Sequence, residues 1–448
     1  MKKIRIFIVI LISVLSSEGF VHAQSKIWSL EDCIRHAIDN NIQVKQQTVQ
    51  TRIQKNSLDL ARYSLLPTLN GSASHEYSFG RALDQTSYEF YNQTIQSDYF
   101  YLGGRTNIFS GLQNLNTIRK SKYELLAGEQ DLQNIRDNVS LSVALAYLQI
   151  LLNKELVTAN ENQLGITLQQ IEKTMKLVNA GSVARGNLLQ IEAQAAQEEL
   201  SLITMKNLLE TSYLNLTQLL ELESPAGFEI IVPEIQVDSN TVITGNIDEI
   251  FQVARQSRPE IRGSEFRLTA REYDLKIAKG ARSPSLSLSH SFMTRYSFIE
   301  NQPGLLPFTD QLKNNKNYGV GLALNIPILN GWQVNKNISN SKLSVENSRY
   351  TLEGAEKQLY KNIQQAYTDA VAALKKYSAS MKAVRSTEES FRYTEQKFNV
   401  GMVTPVDYNA AKTQLLNAQS DLAQSKYEFI FKTKVLDFYK GISLNLNQ

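Results

Sequence analysis

Apolar positions along residues 359–377 fall at Leu359, Ile363, Ala366, Ala370, Ala373 and Tyr377, stepping by 4, 3, 4, 3 and 4. Leu164, Leu168, Ile171, Met175 and Val178 step the same way. A recurrence every 3.5 residues is the seam of a coiled coil, so each series predicts a helix packed along its length against another. Residues 331–398 contain no proline and a single interior glycine, Gly354. At 1.5 Å per residue they predict a helix about 100 Å long. A helical segment at 30–65, matched by one at 247–281, precedes each strand-rich stretch.

Those stretches change period. In 285–298 the even positions are Leu286, Leu288, His290, Phe292, Thr294, Tyr296 and Phe298, while the odd ones are mostly serine. Tyr318, Val320, Leu322, Leu324 and Ile326 alternate with Gly319, Gly321, Ala323 and Asn325. Leu69, Ala73, Tyr77 and Phe79 oppose Thr68, Asn70, Ser72, Ser74, Glu76 and Ser78. Period two with one apolar face predicts strands at about 68–80, 98–109, 285–298 and 317–328. Each is long enough for a tilted crossing of a hydrocarbon layer. Aromatic residues gather near the intervening loops, 80–97 and 299–316. Tyr77, Phe79, Tyr99, Tyr101, Tyr296, Phe298 and Tyr318 are the expected interfacial girdle, with Phe100 beside them.

The chain repeats itself. At a spacing of 220, Gly111 falls on Gly331, Ile118 on Ile338, Tyr147 on Tyr367, Gly181 on Gly401, Val183 on Val403 and Gln194 on Gln414. Upstream the spacing is 217, pairing Ala37 with Ala254, Leu58 with Leu275 and Pro67 with Pro284. Two copies are expected, 24–222 and 247–440. Between them lies a linker, 223–246, whose Pro225, Gly227 and Pro233 stop a helix. Residues 441–448 form a tail.

Composition sharpens the picture. Lys2, Lys3 and Arg5 precede an apolar run, Ile6 to Leu15, and Val21-His22-Ala23 places small residues before a cut at Gln24. Residues 1–23 therefore read as a secretory signal peptide. No later apolar run reads as a membrane helix, since the longest, near 139–152, is interrupted by Ser140, Ser142, Tyr147 and Gln149. The whole chain carries 47 Lys+Arg and 44 Asp+Glu; without the signal, 44 face 43, which gives nucleic acid no electrostatic hold. The single cysteine, Cys33, excludes an internal disulfide framework.

Catalytic and cofactor chemistry is missing. His36, His75 and His290 are scattered, with no zinc spacing, and no GxSxG element occurs. Gly181 and Gly186 have the spacing of a phosphate loop, but Asn187 stands where its lysine belongs. No cofactor, metal or catalytic residue is expected.

An exported chain with paired alternating strands points to the bacterial outer membrane. Four strands cannot close a barrel and lipid tolerates no open sheet edge, so the barrel must be shared between chains. Long helices are too large to thread outward and stay in the periplasm. A soluble coiled-coil scaffold explains the helices but not the strands. A barrel enzyme and a periplasmic adaptor are the rival readings, and a single adaptor hairpin would not explain paired membrane strands.

These residues resemble the TolC family of outer-membrane efflux proteins. The likeness covers nearly the whole mature chain, including the doubled glycine-centred phrase. It implies a mainly α fold with membrane β: a duplicated long-helix coiled-coil tunnel, with four strands per chain in a trimeric 12-strand barrel. It implies a homotrimer in outer-membrane lipid, partnered by a periplasmic adaptor and an inner-membrane RND or ABC transporter. The implied role is an exit duct for drugs or other small molecules, with the outlet of a type I protein secretion system as the alternative. Each phrase becomes the hairpin turn at the periplasmic tip, with Gly181 and Asn187 in one half and Gly401, Thr404, Pro405 and Asp407 in the other. Gly401 fits a left-handed cap, Thr404 an N-cap, Pro405 the first helical position and Asp407 the third. Family members place an acid where Asp407 stands, on the inner rim of the entrance. Val403 and Ala410 depart from the basic and second acidic residues of some members, so no acidic cation-binding constriction is implied.

Overall fold

The computed structural model describes residues 27–83, 88–233, 243, 245–300 and 304–442. The expected signal peptide, the middle of the linker and most of the tail lie outside the described residues. In chain order the elements are β1 (Ile27–Trp28), α1 (Leu30–Asn40), α2 (Ile42–Tyr63), β2 (Thr68–Leu83), β3 (Phe90–Ser110), α3 (Gln113–Asn179) and α4 (Arg185–Leu219). Then come β4 (Glu229–Ile230), α5 (Ile247–Ser257), α6 (Pro259–Gly280), β5 (Ser285–Ile299), α7 (Phe308–Asn314), β6 (Asn317–Asn325), α8 (Gln333–Asn399) and α9 (Pro405–Tyr439).

The internal repeat reaches the level of single helices. α3 and α8 have 67 residues each, α4 and α9 have 35, α2 and α6 have 22, and α1 and α5 have 11. Even the strained entry to each long helix recurs, with positive φ at Gly111 and Leu112 and again at Gly331 and Trp332.

The helical segments expected at 30–65 and 247–281 are each broken once. Asn41 is extended; its Oδ1 accepts from the Gln43 amide at 2.9 Å and its Nδ2 donates to the Leu219 carbonyl at 3.2 Å. Arg258 is extended because Pro259 follows it, and proline crowds a helical predecessor.

One compact unit comprises the chain up to Lys45, Arg136–Ile250 and the chain from Ile363 onward. Its core is helical. Val143, Tyr147, Ile150 and Leu151 on α3 are buried, as are Leu216 and Leu220 at the end of α4. The Tyr147 hydroxyl donates to the Ile231 carbonyl at 2.5 Å, tying the parallel pair of β1 and β4 to α3. By length and composition alone α3 could cross a membrane, but its apolar residues Val143, Tyr147, Ile150 and Leu151 are buried in this core.

The seam at 359–377 is buried throughout, and Tyr377 stacks on Phe429 at 6.2 Å and 7°. The seam expected at 164–178 is not. Leu168 and Met175 are exposed, and the buried positions of that stretch are Gln163, Thr167 and Thr174. Within one chain, α3 turns a polar row inward here and leaves the expected seam facing outward.

The second unit comprises Gln46–Ile135 and Phe251–Asn362. It holds an antiparallel sheet in the order β2-β3-β5-β6. The strand expected at 98–109 starts at Phe90, so much of the expected loop 80–97 is hairpin ladder, paired from Thr68↔Arg105 to Leu83↔Phe90. The strand expected at 317–328 stops at Asn325. Within the expected loop 299–316, α7 lies along the part of β5 that β6 does not reach. There the Gln311 amide imitates a strand: Oε1 accepts from the Ser297 N–H and Nε2 donates to the Ser297 carbonyl, both at 3.0 Å. An exposed sheet edge is thereby closed locally.

Candidate functional site

Two places concentrate unusual geometry, one in each unit. In the helical unit it is the pair of turns. Gly181 and Gly401 have φ of +71° and +75°. The Met402 amide donates to the Lys397 carbonyl at 2.9 Å and the Gly401 amide to the Phe398 carbonyl at 3.0 Å; Ser182 and Gly181 repeat this on Leu177 and Val178. Both helices thus end in a Schellman motif, whose left-handed residue favours glycine.

The restarts differ. Thr404 and Asp407 form a reciprocal capping box, with Asp407 N–H donating to Thr404 Oγ1 at 3.2 Å and Thr404 N–H to Asp407 Oδ2 at 3.3 Å. Pro405 occupies the first turn of α9, where its missing N–H costs nothing. In the first half Ala184 is the N-cap and makes no side-chain bond, and Asn187 occupies the position equivalent to Asp407. The second turn is also braced from behind, since Tyr408 stacks on Phe398 at 4.5 Å and meets Phe391 at 5.4 Å. Burial, with Glu395 and Glu198 nearby, pushes the Tyr408 phenol up to about 12.

The structure brings the two turns to one cleft of about 770 Å³. Asn187, Gly401, Thr404, Pro405 and Asp407 line it together with Val183, Lys173 and Gln190; Gly181 does not. Lys173 Nζ donates to Asn399 Oδ1 at 2.9 Å, a direct link between the two hairpins.

Sequence reasoning missed a second link. Lys412 on α9 is buried, and its Nζ donates to the Gln163 carbonyl at 2.9 Å and to Thr167 Oγ1, with Glu198 Oε1 3.5 Å away. Glu198 on α4 also accepts from Gln163 Nε2 at 3.2 Å and Gln194 Nε2 at 3.0 Å. Burial lowers the Lys412 ammonium, and Glu198 opposes that shift. The available signal was spacing. Lys412 lies four residues after buried Tyr408, so a charge sits where the seam wants an apolar residue.

In the other unit the place of interest is the sheet, whose register fixes which residues share a face. His75 pairs with Asp98 and Asp98 with Tyr296; Tyr77 pairs with Gln96, and Gln96 with Phe298; Phe292 pairs with both Leu102 and Tyr318. Tyr77, Phe79, Tyr296, Phe298 and Tyr318 therefore lie on one face, the apolar one, as does Phe100. Tyr99 and Tyr101 do not. They pair with Ser74 and Ser72 on one side and with Arg295 and Met293 on the other, which puts them on the polar face. Their place in the expected girdle is corrected by this register, because neighbouring residues of a strand point to opposite faces. His75 hydrogen-bonds Asp98 through Nδ1, and Gln96 Nε2 donates to the same carboxylate at 3.2 Å. Among the described residues, no group of three or more His, Cys, Asp or Glu is placed to hold a metal.

The outer membrane efflux protein family model matches residues 33–221 and 250–430. The outer membrane efflux protein BepC of Brucella suis is 20% identical over 323 residues, covering 70% of this chain and 63% of BepC. The chain thus spans less than two thirds of that relative. The crystal structure of the CmeC outer membrane channel of Campylobacter jejuni aligns with a TM-score of 0.77 at 18% identity, covering 94% of this chain and 87% of CmeC. The outer membrane protein VceC of Vibrio cholerae aligns with a TM-score of 0.75 at 17% identity, covering 92% and 96%. The chain belongs to the outer membrane efflux protein family and has the fold of the solved outer-membrane proteins CmeC and VceC.

Proposed function

We propose that three copies of this chain form an outer-membrane exit duct for drugs or other small molecules arriving from the periplasm. The observation that carries the reading is the sheet order β2-β3-β5-β6, which leaves β2 and β6 as open edges. Open edges are not tolerated in hydrocarbon, so the β6 edge of one copy must pair with the β2 edge of the next. Three copies then supply twelve strands, with the apolar face outward to lipid and the polar face inward to water.

The turns at Gly181 and Gly401, with Asn187, Thr404, Pro405 and Asp407, are assigned to the periplasmic entrance. A periplasmic adaptor would dock there and hand over cargo from an inner-membrane RND or ABC transporter. Deleting the gene should lower tolerance to toxic small molecules, and purified protein should insert conducting channels into planar bilayers. Unchanged tolerance with the pump expressed, together with no conductance, would sink the reading.

A further inference from the structure

The exit-duct reading turns the polar face of the sheet toward the lumen, and on that face, at rungs 68–74 of β2, two tyrosines and two arginines stand among mostly small side chains. Four rungs show the pattern. Ser74, Tyr99 and Arg295 align; then Ser72, Tyr101, Met293 and Asn317; then Asn70, Gly103, Ser291 and Gly319; then Thr68, Arg105, Ser289 and Gly321. Tyr99 and Tyr101 stack at 6.4 Å and 11°, and the Tyr99 hydroxyl contacts Met293 Sδ at 3.2 Å. The Tyr101 ring occupies the space that a Cβ on Gly103 would need, so the glycine lets the ring lie flat on the wall. Arg105 and Arg295 are exposed, and among the described residues neither makes an ion pair. The one acid among these strand positions is Glu76, paired with Ser97.

We infer that Tyr99, Tyr101, Arg105 and Arg295 form a cargo-contact belt inside the barrel that holds organic anions carrying an aromatic ring. The inference rests on the exit-duct reading and deepens it by naming a substrate class. A flat ring lies against the phenol faces, while a sulfonate, carboxylate or phosphate meets the planar guanidinium of Arg295, the cross-strand partner of Tyr99. Two arginines against one glutamate per chain bias the belt toward anions. Serine and glycine on the neighbouring rungs leave room for the ligand and offer no competing apolar surface. Conduction needs contacts strong enough to admit a solute and weak enough to release it, and a shallow wall site of this kind meets that demand.

The test uses the full chain reconstituted in planar bilayers, with 1-naphthalenesulfonate as the probe and methanesulfonate as its ring-free counterpart. The wild type should be half-blocked by the naphthalene compound at about tenfold lower concentration than by methanesulfonate. Tyr99→Ser with Tyr101→Ser should abolish that difference, whereas the Tyr99→Phe, Tyr101→Phe pair keeps it. Arg295→Gln should weaken block by both anions and shift the reversal potential toward cations. Gly103→Ala, which keeps both tyrosines but lifts Tyr101 off the wall, should alter naphthalene block alone and serves if the serine pair fails to assemble. A conducting wild type that does not distinguish the two anions, or a serine pair and a Gly103→Ala variant that block as wild type does, overturns the belt alone. A wild type that forms no channel overturns the exit duct and the belt together.

Discussion

Lys412 and Glu198 stand 214 residues apart in sequence and meet inside the helical unit, Nζ to Oε1 at 3.5 Å, with side chains 3% and 6% exposed. Charges this deeply buried stabilise little as a pair but penalise heavily when one is left alone. Lys412→Met should therefore cost about 3–5 kcal/mol, while Lys412→Met with Glu198→Leu should fall much closer to wild type. Thermal unfolding followed by helical circular dichroism reads both. Equal damage from the single and the double change would mean the two side chains are not coupled.

A Cβ added at Gly401 would meet nothing within 4 Å, so substitution there brings backbone strain and no collision. Gly401→Val should cost roughly 1–2 kcal/mol, too little to prevent assembly. Normal amounts of outer-membrane oligomer with impaired efflux are expected. Untouched efflux, or complete failure to assemble, would contradict the assignment of this turn to the entrance.

The capping box makes the two turns unequal. Thr404→Ala should destabilise by about 0.5–2 kcal/mol, and Asp407→Ala, which removes one charge at a helix start, by about 0.3–1 kcal/mol. Ala184→Ser should gain stability, because it supplies the cap that α4 lacks. Proteolysis at each turn, compared across the three variants, checks the order.

How much of this was legible in the sequence varies with the range of the interaction. The seam from Leu359 to Tyr377 was readable because its helices bury it within one chain. The inward row beside Leu164 to Val178 was not readable, because it is polar, Thr167 and Gln163, and no local pattern records Lys412 arriving from another helix. The left-handed glycines and the Thr404–Asp407 cap were legible since they are local chemistry. Tyr99 and Tyr101 were not, because large apolar residues occupy both parities of β3 there, with Phe100 and Leu102 between and beyond them. Only pairing with β2 and β5 sets the face.

Alkaline pH should loosen the helical unit by a defined route. An unfolded tyrosine ionises near 10.0, but folded Tyr408 holds its proton to about 12, chiefly through burial. Burial likewise pushes Tyr147 and Tyr427 up. The folded state then binds more protons than the unfolded one, so stability is full below pH 10 and falls as pH rises toward 12. Tyr408→Phe should melt as wild type at pH 8 and lose less between pH 10 and 12. An identical alkaline loss in the variant would remove Tyr408 from this account.

The most direct test of the central claim is the mass of the purified assembly in detergent, measured by native mass spectrometry. Open edges at β2 and β6 require neighbours, so the account predicts a complex of three mature chains that dissociates only when the sheet unfolds. A monodisperse, water-soluble monomer would contradict it.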